Sequence, residues 1–344
     1  MNLKQYIDAT NNNLNYAINI IEWNNHNLSY FKEKINKNKF KKYILFIWWT
    51  QIKWSFSPFI HTYSSMWLGD FLYTLLDFSK EWLILSDVLK YIENNDNIVW
   101  ANITMPYKID TYQILKNNNR LDKSALLVWA VNTITKDNWK IYWYNTDFEG
   151  ILLPIKLKLS KSEIKNINKW YIIWGWWAAK AWITALLILW ITDIVILNRN
   201  TNLDLIEHFN NPIVKNLLIN DYWINKKINI IYKKYDIINN DKISDIIVDK
   251  WILINTLPFW FNNDLPKKAI NRDEVNKIQK NIKLFFDVVY DIKHWDTPLI
   301  KDFKSSNILV CDWIDMLIWQ ASKWFWLWTN WWEIDIKKIN SLLR

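Results

Sequence analysis

The chain has 344 residues, 51% of them apolar, which is enough to bury the core of one large or two medium domains. Its formal net charge of +9 comes from lysines scattered along predicted solvent faces, which argues against a nucleic-acid partner, and its single cysteine excludes a disulfide framework. The N-terminal MNLKQYIDATNNN lacks an apolar signal core, and the longest apolar run, residues 182–197, is interrupted by Thr184, Thr192 and Asp193. We therefore expect a cytoplasmic protein without a membrane partner.

Tryptophan and glycine occur in an inverted ratio. The chain holds 27 Trp and 3 Gly, whereas glycine normally makes up about 7% of a soluble protein. Trp139 in KDNWKIY follows Asn138 at a predicted hairpin turn, where Asn-Gly is usual because both central residues need positive φ. Abundant Ile, Asn and Lys indicate an AT-rich gene. We interpret most Trp as glycines encoded by a reassigned UGA codon. A genuinely Trp-rich protein is the alternative, and Trp328 is the first candidate for an authentic Trp.

From Lys42 onward, short β-rich runs alternate with longer helical stretches. The predicted strands are YILFI, VWANITM, YIIW, DIVILN, WILIN and LFFDVVY. The helix-like stretch LSKSEIKNINKW, residues 159–170, marks the predicted hinge between two domains. This alternation predicts an α/β fold with largely parallel sheets.

The stretch YIIWGWWAAKAW, residues 171–182, has the order strand, turn and alanine-rich helix. With Trp read as Gly, the turn lets the backbone approach a pyrophosphate at the helix N-terminus. The residues that we expect to contact the cofactor here are Trp174, Gly175, Trp176, Trp177 and Ala178. The next strand ends in Asn198 and Arg199, and an Arg at this place accommodates a 2′-phosphate, which predicts NADP.

Two serines precede a predicted helix in WSFSPFIH. Ser55 and Ser57 flank a phenylalanine, and Pro58 suits the first helical position. Two hydroxyls at the positive end of a helix dipole can hold a small carboxylate, although a simple serine N-cap is the alternative.

Further polar residues occur in three short motifs. ANITMPYK sets Asn102, Thr104 and Lys108 at a strand end that enters a turn, while AVNTIT contributes Asn132 and NTDFEG contributes Asp147. Neutral donors and acceptors beside one Lys and one Asp suit a polyhydroxylated substrate, with the two charged groups sharing proton transfer. Taken singly, such a Lys or Asp is more often a surface charge.

In this order, the motifs resemble those of the shikimate dehydrogenase family from about Lys42 to the C-terminus. SFSPFIH is similar to the family's carboxylate-binding motif, NITMPYK to its lysine motif, AVNTI and NTD to its substrate motifs, and the reread glycine loop to its nucleotide motif. MLIWQASKWF is similar to its closing glutamine helix.

The resemblance implies roles for individual residues. Lys108 matches the catalytic lysine and Asp147 its aspartate partner. Asn198 and Arg199 match the site of the adenosine phosphate. The positions that match substrate-binding residues are Ser55, Ser57, Asn102, Thr104, Asn132, Tyr290 and Gln320.

The resemblance also implies an activity and a domain plan. The activity is the NADPH-dependent, reversible reduction of 3-dehydroshikimate to shikimate, a step towards chorismate and the aromatic amino acids, by a monomer or homodimer that needs no metal. We expect an extension of unknown role over 1–40, a substrate domain with a mixed α/β sheet over 41–148, and a Rossmann-like NADP-binding domain over 149–312. The last helices, over 313–344, should return to the substrate domain, and the two domains should enclose a cleft.

Some positions depart from the family pattern. Trp54 stands where a histidine is common, and Leu203 and Asp204 stand near the place of a second arginine that often follows Arg199. A quinate/shikimate dehydrogenase that uses NAD is therefore one alternative. A noncatalytic nucleotide-binding relative and a Trp-rich nucleic-acid binder are the others.

Overall fold

The computed structural model describes residues 42–48, 57, 60–61, 71–77, 84–96, 98–117, 119–137, 140–167, 169–173, 179–200, 203–235, 241–247, 251–256, 270, 272–289, 296–329 and 333–343. The chain divides into two compact units. The first extends to Thr146 and includes Gln320–Leu343, and the second is Asp147–Trp319.

The first unit is built on a five-stranded mixed sheet. Its strands are β1 (Lys42–Trp48), β2 (Phe71–Asp77), β3 (Ile98–Ile103), β4 (Thr133–Asp137) and β5 (Lys140–Tyr144), in the order β2-β1-β3-β4-β5. β1 pairs in parallel with β2 and β3, whereas β3, β4 and β5 pair antiparallel. The predicted mixed sheet is confirmed.

The connection between β4 and β5 has two residues. Asp137 pairs with Lys140, so only positions 138 and 139 join the strands, and these two lie outside the described residues. Two-residue hairpin loops favour turns with positive φ, usually with glycine. The glycine-like role of Trp139 thus stays a prediction.

Three helices whose bounds the structure describes separate these strands. They are α1 (Leu85–Asn94), α2 (Tyr107–Leu115) and α3 (Lys123–Val128). Asp122 caps α3, since its carboxylate accepts a hydrogen bond from the Ser124 amide at 2.8 Å. Apolar residues of α1 and α3 pack with those of β3, β4 and β5 in one core.

The second unit contains a six-stranded parallel sheet. Its strands are β6 (Lys169–Ile173), β7 (Asp193–Asn198), β8 (Asn229–Lys234), β9 (Trp251–Asn255), β10 (Ile282–Asp287) and β11 (Leu309–Cys311). The strand order is β11-β10-β9-β6-β7-β8. From β6 the chain adds strands outward on one side, β7 and then β8, and afterwards on the other side, β9 to β11, as in a Rossmann sheet. This order confirms the predicted fold class. The predicted strands DIVILN and WILIN coincide with β7 and β9, because buried parallel strands read as continuous apolar runs.

The remaining helices precede, separate or follow these strands along the chain. They are α4 (Asp147–Lys158), α5 (Lys161–Lys165), α6 (Ala179–Ile188), α7 (Leu203–Asn210), α8 (Pro212–Tyr222), α9 (Arg272–Ile278), α10 (Pro298–Ser305), α11 (Trp313–Thr329) and α12 (Ile336–Leu343), of which the end of α11 and all of α12 belong to the first unit. The helix expected over 159–170 is shorter than predicted. Ser160 and Glu163 form a capping box at its start, and Asn166 ends it. None of the helices in the described ranges has both the length and the apolar character needed to cross a membrane.

Three helices end on a tryptophan with left-handed backbone. Trp129 follows α3 with φ of 56°, Trp190 follows α6 with φ of 66°, and Trp223 follows α8 with φ of 55°. The Trp223 amide donates to the Ile219 carbonyl at 3.0 Å, which closes the last turn of α8. Glycine is usual at such positions, because a Cβ atom in the left-handed region costs about 1 kcal/mol. The backbone therefore favours glycine at all three.

We expect Trp223→Gly to be more stable than Trp223→Ala by about 1 kcal/mol, because both remove the same exposed indole but only glycine relieves the left-handed backbone. Thermal unfolding of the two variants side by side measures the difference. Equal melting temperatures would show that the backbone at Trp223 carries no penalty.

Candidate functional site

Asn132 links the ends of three strands in the first unit. Its carbonyl accepts from the Ile103 amide at 2.9 Å, and its own amide donates to the Tyr144 carbonyl at 3.0 Å. Its side-chain oxygen accepts from the Thr146 amide at 3.0 Å, and its Nδ2 donates to Thr146 Oγ1 at 3.1 Å. These bonds fix both the position and the flip of a fully buried amide.

Asn102 lies beside Asn132 at the end of β3. Its Nδ2 donates to the Asn132 carbonyl at 3.4 Å, and its Oδ1 accepts from the Tyr73 hydroxyl at 3.1 Å. Burial raises the pKa of Tyr73, so this hydroxyl stays protonated and donates a hydrogen bond to Asn102. Tyr73 has no distinguishing sequence signal, since it is one aromatic residue in the apolar strand FLYTLLD. Only the sheet brings it to Asn102.

Lys108 is the second residue of α2, just after β3. The Tyr107 amide donates to the Thr104 carbonyl at 3.0 Å, and the Val131 amide donates to the Lys108 carbonyl at 2.9 Å. The latter bond ties the first turn of α2 to the residue next to Asn132. Thr104 and Lys108 are both half-buried, so their side chains retain access to solvent.

Asp147 begins α4 directly after Thr146 and is largely buried. Two residues earlier, the buried Asn145 donates from Nδ2 to the Ala130 carbonyl at 3.1 Å, and its amide donates to Ser124 Oγ at 3.0 Å. The segment that leads into Asp147 is therefore held by side-chain hydrogen bonds.

Ser57 is buried and helical, and His61 lies one turn later. The His61 ring stacks on Tyr73 at 4.9 Å and also contacts Trp324 and Trp328, at 5.0 and 4.7 Å between ring centroids. Among the described residues, neither of its nitrogens has a hydrogen-bond partner, and burial lowers the pKa of His61 to about 3. His61 is consequently neutral at physiological pH.

The other predicted site positions divide into two groups. Gln320 is described and lies buried in α11. Ser55, Tyr290 and positions 174–178, which comprise Trp174, Gly175, Trp176, Trp177 and Ala178, lie outside the described residues.

The second candidate region is the carboxyl edge of β6 and β7, where α6 and α7 begin. Asn198 ends β7, and its side-chain oxygen accepts from the Arg199 amide at 2.8 Å. Arg199 is exposed. An exposed guanidinium at this edge of a Rossmann sheet has the charge and geometry to bind a phosphate, so the described residues fit a phosphorylated nucleotide.

Asp204, in the first turn of α7, pairs with Lys180 of α6 at 3.0 Å. The acidic residue that stands near the place of a second arginine thus has a cationic partner of its own.

Asp287 is a buried carboxyl group at the carboxyl end of β10. It accepts from Asn255 Nδ2 and the Val289 amide, both at 3.0 Å, and from Thr297 Oγ1 at 2.6 Å. Burial nevertheless outweighs these bonds and raises the pKa of Asp287 from 3.8 to about 6. Within the described ranges, no group of three or more His, Cys, Asp or Glu side chains is placed to hold a metal ion.

Several known proteins are similar to this chain. No protein-family model matches the chain. Shikimate dehydrogenase (NADP(+)) of Clostridium beijerinckii is 31% identical over 224 residues, which cover 65% of this chain and 69% of that protein. The enzyme of the same name from Prochlorococcus marinus is 26% identical over 300 residues, which cover 84% of this chain and 93% of that protein.

Solved structures give the same picture for the fold. A shikimate 5-dehydrogenase from Listeria monocytogenes, in complex with shikimate and NAD, matches with a TM-score of 0.67 and 23% identity over 90% of this chain and 99% of that one. A shikimate dehydrogenase in complex with NADP+ matches with a TM-score of 0.61 and 25% identity over 88% of this chain and 94% of that one.

We expect Asp287→Asn to remove a pH dependence of stability. Because its folded-state pKa of about 6 exceeds the ordinary 3.8, the stability from its protonated form is complete below about pH 4 and is lost as pH rises through 6. The change amounts to at most about 3 kcal/mol, and the permanently neutral Asn should abolish it. Urea unfolding between pH 4 and 7 measures the slope.

The control is Asp296→Asn, which removes a more exposed carboxylate that pairs with Lys304 at 2.9 Å. It removes a carboxylate without replacing Asp287, so a change of slope that is seen only in Asp287→Asn is assigned to Asp287. The same slope in all three proteins would contradict the raised pKa of Asp287.

Proposed function

The chain belongs to the shikimate dehydrogenase family, and from this premise we propose that it catalyses the NADP-dependent, reversible interconversion of 3-dehydroshikimate and shikimate. The observation that carries the proposal is the 31% identity to the Clostridium beijerinckii enzyme over 69% of that enzyme's length. The first unit binds the substrate and the second binds the cofactor. The enzyme works in the cytoplasm as a monomer or homodimer, without nucleic acid or membrane.

Neutral polar side chains recognise the substrate hydroxyls in this proposal. Asn102 and Asn132 are buried and oriented by their hydrogen bonds, and Thr104 follows them at the end of β3. A preorganised neutral amide discriminates strongly for hydroxyl groups, because a ligand without them leaves buried donors unpaired. Ser55 and Ser57 bind the carboxylate, with Tyr290 and Gln320 completing the substrate contacts.

The cofactor residues are those of the second unit. Positions 174–178 and the start of α6 hold the pyrophosphate, while Asn198 and Arg199 hold the phosphorylated ribose. The nicotinamide supplies or accepts a hydride when it is bound.

Lys108 and Asp147 handle the proton. The Lys108 ammonium donates to the oxygen that gains negative charge during reduction and stabilises that charge, and in the reverse direction its amine takes the proton back. Asp147 is the partner that we assign to Lys108 in this proton transfer. The bond from the Val131 amide to the Lys108 carbonyl supports this role, since it anchors the backbone of the base beside Asn132.

We expect Lys108→Ala to lower kcat about a hundredfold or more with little change in KM, because the ammonium acts mainly on the transition state. Shikimate-dependent NADP+ reduction, followed by absorbance, measures both constants. Lys116→Ala at the exposed C-terminal end of α2 is the matched control and should retain full activity. An unchanged kcat in Lys108→Ala, or equal losses in both variants, would contradict the proposed role.

We also infer that most of the tryptophans are glycines in the native protein, encoded by a reassigned UGA codon. The left-handed backbone of Trp129, Trp190 and Trp223 supports this inference. Trp190 and Trp223 are 50% and 73% exposed, so their indoles gain little from burial to offset the strain.

The buried tryptophans support the same inference. Tyrosine and tryptophan normally find a hydrogen-bond partner when they are buried, and a buried donor without one costs about 1–3 kcal/mol. Six described and buried indoles have an Nε1 atom without an acceptor: Trp143, Trp170, Trp182, Trp251, Trp324 and Trp328. Trp328, which the sequence favours as authentic, shares this feature, so its indole is no better satisfied than the others.

We expect the chain as written to bind NADP+ poorly, because an indole at 174, 176 or 177 keeps the backbone away from a pyrophosphate. A chain with Trp174→Gly, Trp176→Gly and Trp177→Gly should bind NADP+ and reduce it with shikimate. Calorimetry and activity assays on both purified proteins test this expectation. Tryptophan-containing peptides at these positions, found by mass spectrometry of the protein from its native source, would contradict the reassignment.

A further inference from the structure

The end of β8 places a lysine beside the residues proposed for the cofactor's ribose. Lys234 is the last residue of β8 and is in register with Asn198, the last residue of β7. The pairing continues beyond both strands, since the Tyr235 amide donates to the Asn198 carbonyl at 3.0 Å. Neighbouring strands lie about 4.8 Å apart, so the Lys234 backbone is one strand away from the Asn198–Arg199 turn.

Residues in register on β7 and β8 have side chains on the same face of the sheet. The pair at the other end demonstrates this directly, because Asn229 Nδ2 donates to the Asp193 carboxylate at 2.9 Å. Because successive side chains of a strand point to opposite faces of the sheet, Lys234 lies on the same face as Tyr232. Burial raises the pKa of Tyr232, and the nearby carboxylate of Asp204, in the first turn of α7, raises it further. This effect of Asp204 indicates that α7 covers the face on which Tyr232 lies.

Lys233 is the natural comparison for Lys234. Both are exposed and adjacent on β8, but Lys233 is in register with Leu197, whose side chain belongs to the core on the opposite face of the sheet. The two lysines therefore have similar charge and exposure and differ in the face that they occupy.

The charges around this edge leave two cations available. Lys180 is compensated by Asp204 at 3.0 Å. Across the described part of the chain, neither Arg199 nor Lys234 forms an ion pair with an acidic side chain. An uncompensated pair of cations at the end of adjacent strands is suited to a dianionic phosphate.

We propose that Lys234 is a specificity-determining residue, whose ammonium binds the 2′-phosphate of NADP together with Arg199. It supplies from β8 the second positive charge that Leu203 and Asp204 do not supply from the start of α7. The proposal rests on the proposed function, because it presupposes that the second unit binds a dinucleotide.

Protection of the sheet edge is the competing explanation. β8 is an edge strand, and exposed lysines discourage pairing with other chains. That role does not depend on the face, so it would make Lys233 and Lys234 equivalent in every binding measurement.

The test compares Lys234→Ala with Lys233→Ala by calorimetric titration with NADP+ and with NAD+. Each variant is made in the full chain as written and in the full chain with Trp174→Gly, Trp176→Gly and Trp177→Gly. We expect Lys234→Ala to raise the Kd for NADP+ about tenfold and to leave the Kd for NAD+ unchanged, since only NADP+ carries the 2′-phosphate. Lys233→Ala should change neither value.

The possible failures are distinguishable. If the parent protein prefers NADP+ but Lys234→Ala keeps that preference, or loses it only as much as Lys233→Ala does, the role of Lys234 is overturned and the proposed function remains. If neither parent background binds either dinucleotide, the proposed function fails and the role of Lys234 falls with it.

Discussion

The hydrogen bonds of Asn132, made by both its side chain and its main chain, hold the ends of three strands in one arrangement. This buried amide accepts from the Thr146 backbone and donates to the Thr146 hydroxyl, while its main chain bonds to Ile103 and Tyr144. A buried amide that loses its partners costs more than the bonds contribute net, because both its donors and its acceptors would remain desolvated. The Asn132 carbonyl also accepts from Asn102 Nδ2, so the geometry around Asn102 depends on where Asn132 is held.

The candidate sites of the two units differ in their chemistry. In the first unit, buried neutral amides and the Tyr73 hydroxyl form a hydrogen-bonded group, which suits recognition of hydroxyls. In the second, the parallel sheet brings together the carboxyl ends of β7 and β8, where Arg199 and Lys234 are exposed cations. Neutral groups can be buried at modest cost once they are hydrogen-bonded, whereas cations that await an anion must remain hydrated. This difference explains why one group is enclosed and the other lies at an edge.

The chain forms the two sheets expected for its family, although the tryptophans at single positions conflict with the local structure. Both predicted sheets form, although indoles stand at left-handed helix ends and in the cores. The conflict lies in backbone conformation at Trp129, Trp190 and Trp223 and in unsatisfied N–H groups in the cores. Such local inconsistencies with a global fold are what a systematic misreading of glycine would produce.

Much of the fold and part of the candidate site followed from the sequence by itself. Buried parallel strands read as unbroken apolar runs, so DIVILN and WILIN predicted β7 and β9, and their alternation with helices gave the fold class that the structure confirms. The motifs indicated the family. They also singled out Asn102, Lys108 and Asn132, because each of these residues lies in a short motif that can be recognised without the fold. The roles of the site residues remain proposals.

Other features were decided only by the tertiary structure. Tyr73 reaches Asn102 across 29 positions, and Lys234 reaches Asn198 through the register of β7 and β8. From the sequence, Asp204 was notable only because it stands near the place of a second arginine, whereas the fold pairs it with Lys180. Local propensity specifies which segments become strands and helices. Which side chains meet depends on strand order and register, which arise from the packing of the whole sheet and have no counterpart in any short stretch of sequence.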